Sequence, residues 1–261
     1  MQRSGDPDSL GLCRPMKTER ADALLVSLGL CDSREQAKRL ILAGEVRCGD
    51  RVIEKPSSKL QIDSVLELKE KPRYVGRGGF KLEAAIDAFG IDPSGWVCMD
   101  VGASTGGFTD CLLQRGAIRV HALDVGTNQL VWKLRSDPRV IVKEQFNARY
   151  MEPKDIGESV RLAVMDLSFI SLTKVLPAVF PLLDESGAVV CLIKPQFELN
   201  REDISKGGIV RDPGLHERAI EKIRAFVAEQ PGFEWRGLIP SPIKGTDGNQ
   251  EFLAWIARKA G

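Results

Sequence analysis

The sequence has few histidines, no paired cysteine motif and no long apolar run, and each absence argues against a class of protein. Only His121 and His216 occur among the 261 residues, which argues against a zinc site or a histidine-based catalytic triad. The six cysteines are scattered without a C-x-x-C motif, as expected for reduced thiols. No stretch approaches the roughly 18 apolar residues of a membrane helix. We therefore expect a cytoplasmic protein without a metal site or a membrane segment.

The first 17 residues also lack an apolar segment of the kind found in secretory signals, and we expect them to form a disordered tail. Hydrophobic residues make up 43% of the chain and charged residues 28%, which is typical of a globular protein. The length predicts one large domain, alone or with a small one.

The net charge of +1 hides an asymmetry along the chain. Between Arg14 and Lys81 there are 15 basic and 10 acidic residues, a net charge of +5, so the remainder carries about −4. A basic segment of this kind suits a polyanion such as nucleic acid. The alternative is that these charges only solvate a helix face.

Residues 18–70 have the pattern of a small α+β domain. Helical spacing of apolar residues begins near Thr18 and stops at Gly29. Ser33 and Gln36 form a capping-box pattern ahead of a second helix, and short β-like segments follow from Val46. This segment, with its run SREQAKRLILAGEVRCGDRV, resembles the S4 RNA-binding domain, although residues 48–50 depart from the valine and Asn-Gly turn common there.

The S4 resemblance implies a set of basic residues that face RNA phosphates, namely Arg20, Arg34, Lys38, Arg39 and Arg47. The next segment, KPRYVGRGGF at residues 71–80, contains a proline and three glycines and is predicted to be a basic linker. Its Arg73 and Arg77 are further candidates for RNA contact. We place the larger domain at residues 81–261.

From Trp96 onward, apolar β-like runs alternate with helical segments, which predicts a doubly wound, Rossmann-like parallel sheet. The expected strands are residues 96–100, 120–124, 140–142, 162–166 and 188–194. The expected helices are residues 109–114, 129–135, 172–183 and 215–229. Ligands of such sheets bind beyond the carboxyl ends of the strands, so polar residues at those ends are candidate site residues.

The first of these strands ends in a turn of small residues. It has no G-x-G-x-x-G spacing, which makes a dinucleotide a weak prediction. Asp100 ahead of the turn suits an ammonium group, and Asp124 after the next strand suits a ribose diol, a combination that fits S-adenosylmethionine better than NAD. Asn147 is a candidate for adenine contact or, equally, a turn-forming residue. The predicted cofactor-binding residues are Asp100, Gly102, Ala103, Ser104, Thr105, Gly106, Gly107, Phe108, Asp124, Asn147 and Asp166.

A second constellation combines Lys81 in RGGFKL, Asp166 in AVMDLSF, Lys194 in CLIKPQF and Glu251 in GNQEFL. Asp166 and Lys194 both end parallel strands and should meet at the ligand edge. Taken singly, each has an ordinary structural interpretation, since a strand-end Asp often caps a helix and most lysines are solvated.

These four residues resemble the Lys-Asp-Lys-Glu tetrad of FtsJ/RrmJ-like ribose 2′-O-methyltransferases. Together with the S4 pattern and the motifs DVGASTGGFTD, MDLSFISL, IKPQFE and KGGIVRDP, they make the chain similar to the hemolysin A (TlyA-like) family of rRNA methyltransferases. The resemblance implies S-adenosylmethionine as cofactor, ribosomal RNA or ribosomal subunits as partner, and a cytidine ribose as target. Lys194 would then be the general base or alkoxide stabiliser, and residues 206–213 are a candidate lid or an ordinary loop.

Three alternatives remain open at the level of the sequence. An NAD-dependent oxidoreductase would leave both lysines unexplained. A non-catalytic RNA-binding or ribosome-associated protein would explain the small domain, but not the glycine turn together with the tetrad. The family's hemolysin label suggests a cytolysin, which no membrane segment supports.

Overall fold

The computed structural model describes residues 17–69, 72–204 and 207–259, and the chain divides into two compact units, Met1–Lys71 and Pro72–Gly261. The predicted N-terminal tail, apart from Lys17, lies outside the described residues. Among those residues, no helix is long and apolar enough to cross a membrane.

The first unit is a small α+β domain with its own apolar core. Its helices are α1 (Ala21–Ser27) and α2 (Arg34–Leu42). Its strands are β1 (Thr18–Arg20), β2 (Val46–Cys48), β3 (Arg51–Val52), β4 (Lys59–Gln61) and β5 (Leu66–Leu68). They pair as β1–β4 and as β3–β2–β5. The side chain of Ser33 accepts a hydrogen bond from the Gln36 amide, so the predicted N-cap begins α2.

The second unit alternates strands and helices as predicted. Its strands are β6 (Val97–Val101), β7 (Arg119–Leu123), β8 (Val140–Lys143), β9 (Val160–Met165), β10 (Leu183–Ile193), β11 (Phe233–Pro240) and β12 (Phe252–Arg258). Its helices are α3 (Gly78–Phe89), α4 (Gly107–Gln114), α5 (Trp132–Arg135), α6 (Pro153–Ile156), α7 (Leu176–Val179), α8 (Pro195–Glu198) and α9 (Pro213–Ala228). Short 3-10 turns lie at Ala148–Tyr150, Leu172–Lys174, Phe180–Leu182 and Arg201–Asp203.

All seven strands form one sheet in the order β11-β12-β10-β9-β6-β7-β8. Strands β8, β7, β6, β9 and β10 are parallel to one another, whereas β12 is antiparallel to both β10 and β11. The chain leaves β6 toward β7 and β8 and later returns to β9 on the other side of β6. The predicted doubly wound α/β class is therefore confirmed, and the ligand edge lies at the carboxyl ends of β6 and β9.

Three local predictions were wrong. The sheet is not wholly parallel, because the unpredicted strand β12 runs against its neighbours. The helix expected over 172–183 is broken into short turns around α7, since two prolines interrupt it and β10 already begins at Leu183. The helix expected over 129–135 is only the single turn of α5.

The segment predicted as a linker is largely built into the second unit. Tyr74 is 2% exposed and belongs to the core on one face of the sheet. Helix α3 begins at Gly78, three residues before Lys81. The boundary between the compact units falls between Lys71 and Pro72, so most of residues 71–80 lie in the second unit.

Candidate active site

Four strand ends and the start of helix α3, which carries Lys81, bring polar groups to one cleft at the carboxyl edge of the sheet. Strands β6, β9 and β10 end there, at Val101, Met165 and Ile193. Because β12 is antiparallel and its Phe252 pairs with Ile193, the start of β12 lies at the same edge. Glu251 is thereby placed beside the strand end that precedes Lys194. The resulting pocket has a volume of about 290 Å³.

Two lysine–carboxylate pairs line this pocket. The Nζ atom of Lys194 lies 2.6 Å from Oδ1 of Asp166, and it also donates to Oγ of Ser168 at 3.1 Å. The Nζ atom of Lys81 donates to Oε2 of Glu251 at 2.5 Å. The side chains of Lys81 and Glu251 are only 10% and 3% exposed. The structure thus brings the four predicted residues together, as two ion pairs rather than as a chain of four.

The glycine turn is pressed against the strand that carries Asp166. Gly102 has φ +88°, and a Cβ atom there would lie 2.6 Å from the backbone oxygen of Asp166. Residues 102–105, Gly107 and Phe108 line the pocket, as the sequence predicted for the cofactor site. Gly106 lies against Leu130 and Leu134 instead, and it is not among the lining residues that the structure describes.

A contact between glycines closes one side of the site, and the sequence reasoning missed it. A Cβ atom on Gly107 would lie 2.9 Å from the Gly79 nitrogen and 3.2 Å from the Gly78 Cα atom. The N-terminal ends of α3 and α4 therefore approach backbone to backbone. The glycine pairs in RGGF and TGGF are the sequence feature that could have predicted this close approach.

Asp100 lies beneath the pocket rather than in its wall. It is fully buried, and its Oδ2 atom accepts hydrogen bonds from the backbone N–H of Thr109 at 2.9 Å and from the Thr109 hydroxyl at 2.7 Å. Its Oδ1 atom has no hydrogen-bond partner among the described residues. Burial raises the pKa of Asp100 to about 7, and the charges of Asp166 and Asp124 act in the same direction. Contact between Asp100 and a ligand ammonium stays a prediction.

The raised pKa of Asp100 predicts a pH-dependent stability. The unfolded chain releases this proton near pH 4, whereas the folded chain holds it until about pH 7. The contribution of Asp100 to the free energy of unfolding should therefore fall as the pH rises from about 4 to 7. Asp100→Asn keeps an oxygen that can accept from Thr109 and should flatten this part of the curve. Denaturant unfolding of both proteins across that range, followed by tryptophan fluorescence, measures the difference, and parallel curves would contradict the assignment.

The other two predicted cofactor residues are engaged with the backbone. Asp124 accepts hydrogen bonds from the amides of Ser104 at 2.8 Å and Gly126 at 2.7 Å, which ties the glycine turn to the end of β7. The side chain of Asn147 accepts from the Arg149 amide at 3.1 Å and begins a 3-10 turn. In this structure Asn147 therefore acts as a turn-forming residue, which was one of its two predicted roles.

Two buried polar residues that the sequence did not reveal, Glu198 and Asn249, make four hydrogen bonds near the site. Glu198, in IKPQFE, is buried and accepts from the Ser171 hydroxyl at 2.5 Å and the Leu172 amide at 2.8 Å. Buried Asn249 binds the 208–210 segment, accepting from the Val210 amide at 2.8 Å and donating to the Gly208 oxygen at 3.0 Å. The candidate lid is therefore anchored at this end, close to Glu251, and its first residue lies outside the described residues.

An exposed aromatic side chain follows Asp166 in the same loop. Phe169 is 91% exposed and adopts a φ of +64°. Its ring centroid lies 5.1 Å from that of Phe197, and the Phe197 ring in turn lies 5.9 Å from the Nζ atom of Lys194. An apolar ring in contact with water beside the catalytic edge is a candidate surface for a nucleobase.

In the first unit, a buried acid organises two of the predicted RNA-binding residues. Asp22 is 0% exposed, and its carboxylate binds Arg20 and Arg34, each at 3.0 Å. The hydrogen bond from Arg20, and then that from Arg34, lowers the pKa of Asp22 to about 2. Sequence reasoning missed Asp22, since an acid inside an apolar helix pattern gives no signal of its partners.

The remaining predicted RNA-binding residues are distributed over both units. Lys38 pairs with Glu35 on α2, at 2.7 Å, while Arg39 and Arg47 are exposed and pair with no carboxylate that the structure describes. In the second unit Arg73 pairs with Glu83, and Arg77 lines the pocket. Among the residues described, no group of three or more His, Cys, Asp or Glu side chains is arranged to hold a metal ion.

Comparison with known proteins gives matches over both units. The FtsJ-like methyltransferase model matches residues 74–258, and the S4 domain model matches residues 19–66. The chain is 44% identical to the 16S/23S rRNA (cytidine-2′-O)-methyltransferase TlyA of Mycobacterium tuberculosis, over 91% of this chain and 89% of that protein. It is 47% identical to YqxC of Bacillus subtilis, over 91% and 85%. A solved hemolysin structure from Streptococcus thermophilus is 48% identical, with a TM-score of 0.70 and coverage of 94% and 90%.

The sheet, its glycine turn and the matched family model define the second unit as a Rossmann-like methyltransferase domain. The first unit is an S4 domain. The chain belongs to the hemolysin A (TlyA-like) family of rRNA methyltransferases.

Proposed function

We propose that this protein transfers a methyl group from S-adenosylmethionine to the 2′-hydroxyl of a cytidine ribose in ribosomal RNA. The observation that carries the proposal is the convergence of two lysine–carboxylate pairs on one pocket, directly beside the glycine turn. The name of the relative from Mycobacterium tuberculosis supports cytidine and rRNA as the substrate. Because the proposed substrate is ribosomal RNA, we infer that the protein acts in the cytoplasm.

The residues at the glycine turn fit S-adenosylmethionine. Residues 102–105, which line the pocket, have small side chains that let a bound molecule approach the backbone closely. The Asp124 carboxylate, held against the Ser104 amide, stands at the end of the neighbouring strand and suits a ribose diol. The Oδ1 atom of Asp100, which has no hydrogen-bond partner among the described residues, lies beneath the turn and is a further polar atom for a bound molecule. When bound, S-adenosylmethionine supplies a methyl group on a sulfonium, which is already a good leaving group.

Lys194 is placed to act on the attacking hydroxyl. Its Nζ atom lies at the carboxyl edge and is held by Asp166 and Ser168 on the neighbouring strand end. A cation in that position stabilises the negative charge that develops on the 2′-oxygen, or takes its proton as that oxygen attacks. Asp166 and Ser168 orient the ammonium, so the ribose meets a fixed group rather than a mobile one.

The second pair positions the substrate from the other side. Lys81 and Glu251 are mostly buried and hold each other at 2.5 Å. Glu251 aligns Lys81, and the carboxylate oxygen Oε1, which is not bound to Lys81 in this structure, is available to accept from a ribose hydroxyl. The exposed ring of Phe169 gives the base of the same nucleotide a surface to stack on.

The S4 domain supplies RNA affinity through its basic helix face. We predict that the double reversal Arg34→Glu with Lys38→Glu weakens binding to ribosomal subunits and lowers the slope of log affinity against log salt, because two cations that face phosphates are lost. Affinity for S-adenosylmethionine should not change, since that pocket belongs to the other unit. Filter binding at several salt concentrations measures the effect.

A matched control for this double variant is the pair Lys133→Glu with Arg218→Glu, two exposed cations of the second unit that do not line the pocket. Equal loss of RNA binding in both double variants would show that overall charge, not the S4 helix face, determines affinity.

The experiment that tests the proposed function is transfer of labelled methyl groups from S-adenosylmethionine onto separated small and large ribosomal subunits, followed by mapping of the modified ribose. We expect incorporation at a 2′-oxygen of a cytidine. Label on a base, or absence of transfer by a protein that binds S-adenosylmethionine and RNA, would overturn the proposal.

A further inference from the structure

The lining of the pocket carries more positive charge than its ion pairs neutralise. Four cations line it, namely Arg77, Lys81, Lys194 and Lys244, against two carboxylates, Asp166 and Glu251. Each carboxylate is bound to one lysine, Asp166 to Lys194 and Glu251 to Lys81. Within the part of the chain that the structure describes, Arg77 and Lys244 have no carboxylate within 4.0 Å, and both are exposed. The excess charge therefore resides on these two side chains.

Arg77 and Lys244 lie on two different segments around the ion pairs. Arg77 is flanked by Gly76, whose added Cβ would lie 2.8 Å from Oγ1 of Thr105, and by Gly78, whose added Cβ would lie 4.0 Å from Oδ2 of Asp166. Arg77 thus belongs to the side of the pocket formed by the glycine turn and Asp166.

Lys244 lies in the loop that leads into β12, next to the second ion pair. The next residue is Gly245, where an added Cβ would lie 2.6 Å from Oε1 of Glu251. The Gly245 amide donates to the Asn249 oxygen at 2.9 Å, so the loop folds back over the start of β12. This closure holds the backbone of Lys244 directly beside the Lys81–Glu251 pair.

The chemistry of the cofactor does not account for two free cations. S-adenosylmethionine carries a sulfonium, an ammonium and one carboxylate, so its net charge is positive, and an excess of positive charge in the pocket opposes its binding. A ribose inside an RNA chain has the opposite character, because it is joined to a phosphate on each side. Lysine and arginine that contact phosphates fix the position of a nucleic acid without reading its sequence.

We propose that Arg77 and Lys244 form a two-point phosphate site, which binds the backbone phosphates on either side of the ribose that is methylated. The inference rests on the proposed function and adds to it a substrate requirement: the target must be an internal nucleotide of a chain, since a free nucleoside offers neither phosphate. Two contacts at the rim orient the sugar with its 2′-hydroxyl toward Lys194.

The test uses the full-length protein and compares Lys244→Ala, Lys244→Arg and the double variant Arg77→Ala with Lys244→Ala. Lys259→Ala is the matched control, because it removes the same charge just beyond β12, at the opposite end of that strand. RNA affinity is measured with ribosomal subunits at several salt concentrations, methyl transfer is measured on the same particles, and affinity for S-adenosylmethionine is measured by calorimetry.

We expect Lys244→Ala to lower kcat/KM on ribosomal subunits by about tenfold, the effect of one lost charge-assisted contact. The slope of log affinity against log salt should fall by about 0.7–0.9 for one lost phosphate contact, and by about twice that in the double variant. Lys244→Arg should restore the slope, and Lys259→Ala should resemble the unaltered protein. Affinity for S-adenosylmethionine should stay the same or rise slightly.

Two results would overturn the phosphate site. A salt slope in Lys244→Ala equal to that of Lys259→Ala would show that Lys244 contacts no phosphate. A loss of affinity for S-adenosylmethionine with an unchanged salt slope would assign Lys244 to the cofactor carboxylate instead. Failure of the proposed function is a different outcome: the unaltered protein would then transfer no methyl group, while the salt slopes would still report on the phosphate site.

Discussion

Lys194→Ala should lower the rate of methyl transfer by about two to four orders of magnitude and leave affinity for S-adenosylmethionine unchanged. The reason is geometric, since Lys194 follows β10 and is held by Asp166 and Ser168, whereas the glycine turn that we expect to contact the cofactor follows β6. Single-turnover transfer on ribosomal subunits and calorimetric binding of S-adenosylmethionine separate the two effects.

A surface ion pair of equal length provides the control for this experiment. Lys154 lies 2.6 Å from Glu152, but its side chain is largely exposed and lies outside the pocket lining. Lys154→Ala should therefore have no effect on the rate. Lys194→Arg distinguishes a proton acceptor from a group that only stabilises the charge on the 2′-oxygen. A guanidinium keeps the positive charge but does not give up its proton near neutral pH, so transfer by this variant would favour the stabilising role. Transfer by Lys194→Ala at the unaltered rate would remove Lys194 from the mechanism.

Glu251→Ala should lower the free energy of unfolding of the second unit by about 3–5 kcal/mol as well as abolish transfer, because it leaves the ammonium of Lys81 buried without a partner. All four tryptophans lie in the second unit, so their fluorescence reports its unfolding without a contribution from the S4 domain.

A compensating variant separates stability from catalysis at this pair. Lys81→Met combined with Glu251→Leu replaces both charges with apolar groups of similar volume, and it should recover most of the stability while transfer stays abolished. Lys154→Ala, which breaks the exposed pair with Glu152, should cost less than about 1 kcal/mol. Normal stability of Glu251→Ala would mean that water already solvates Lys81.

The extent to which sequence predicted this site follows from the kind of strand that carries each residue. Asp166 and Lys194 end parallel strands that were visible as apolar runs, so their meeting at one edge was predictable. Glu251 reaches the edge only because β12 is inserted antiparallel between β10 and β11. No local pattern around Glu251 specifies the antiparallel pairing of β12. The contact between Glu251 and Lys81 could be predicted only from resemblance to a family.

The roles of Asp100 and Asp22 show a second limit. The position of Asp100 at a strand end predicts contact with a ligand, but it gave no signal of the hydrogen bonds from Thr109 to its Oδ2 atom. Asp22 gave no signal at all, although it fixes two arginines. Periodicity tells which face of an element is buried, but it does not tell which polar atoms meet there, since those contacts depend on tertiary packing.

The partners of the Lys81–Glu251 pair are 170 residues apart in sequence. During synthesis the S4 domain, and the strands from β6 to β10, are complete long before β12 has been made. An unfinished chain therefore possesses its RNA-binding unit and its glycine turn but lacks one carboxylate of the active site. We therefore expect a chain that stops between β10 and β12 to bind RNA through its S4 domain without modifying it.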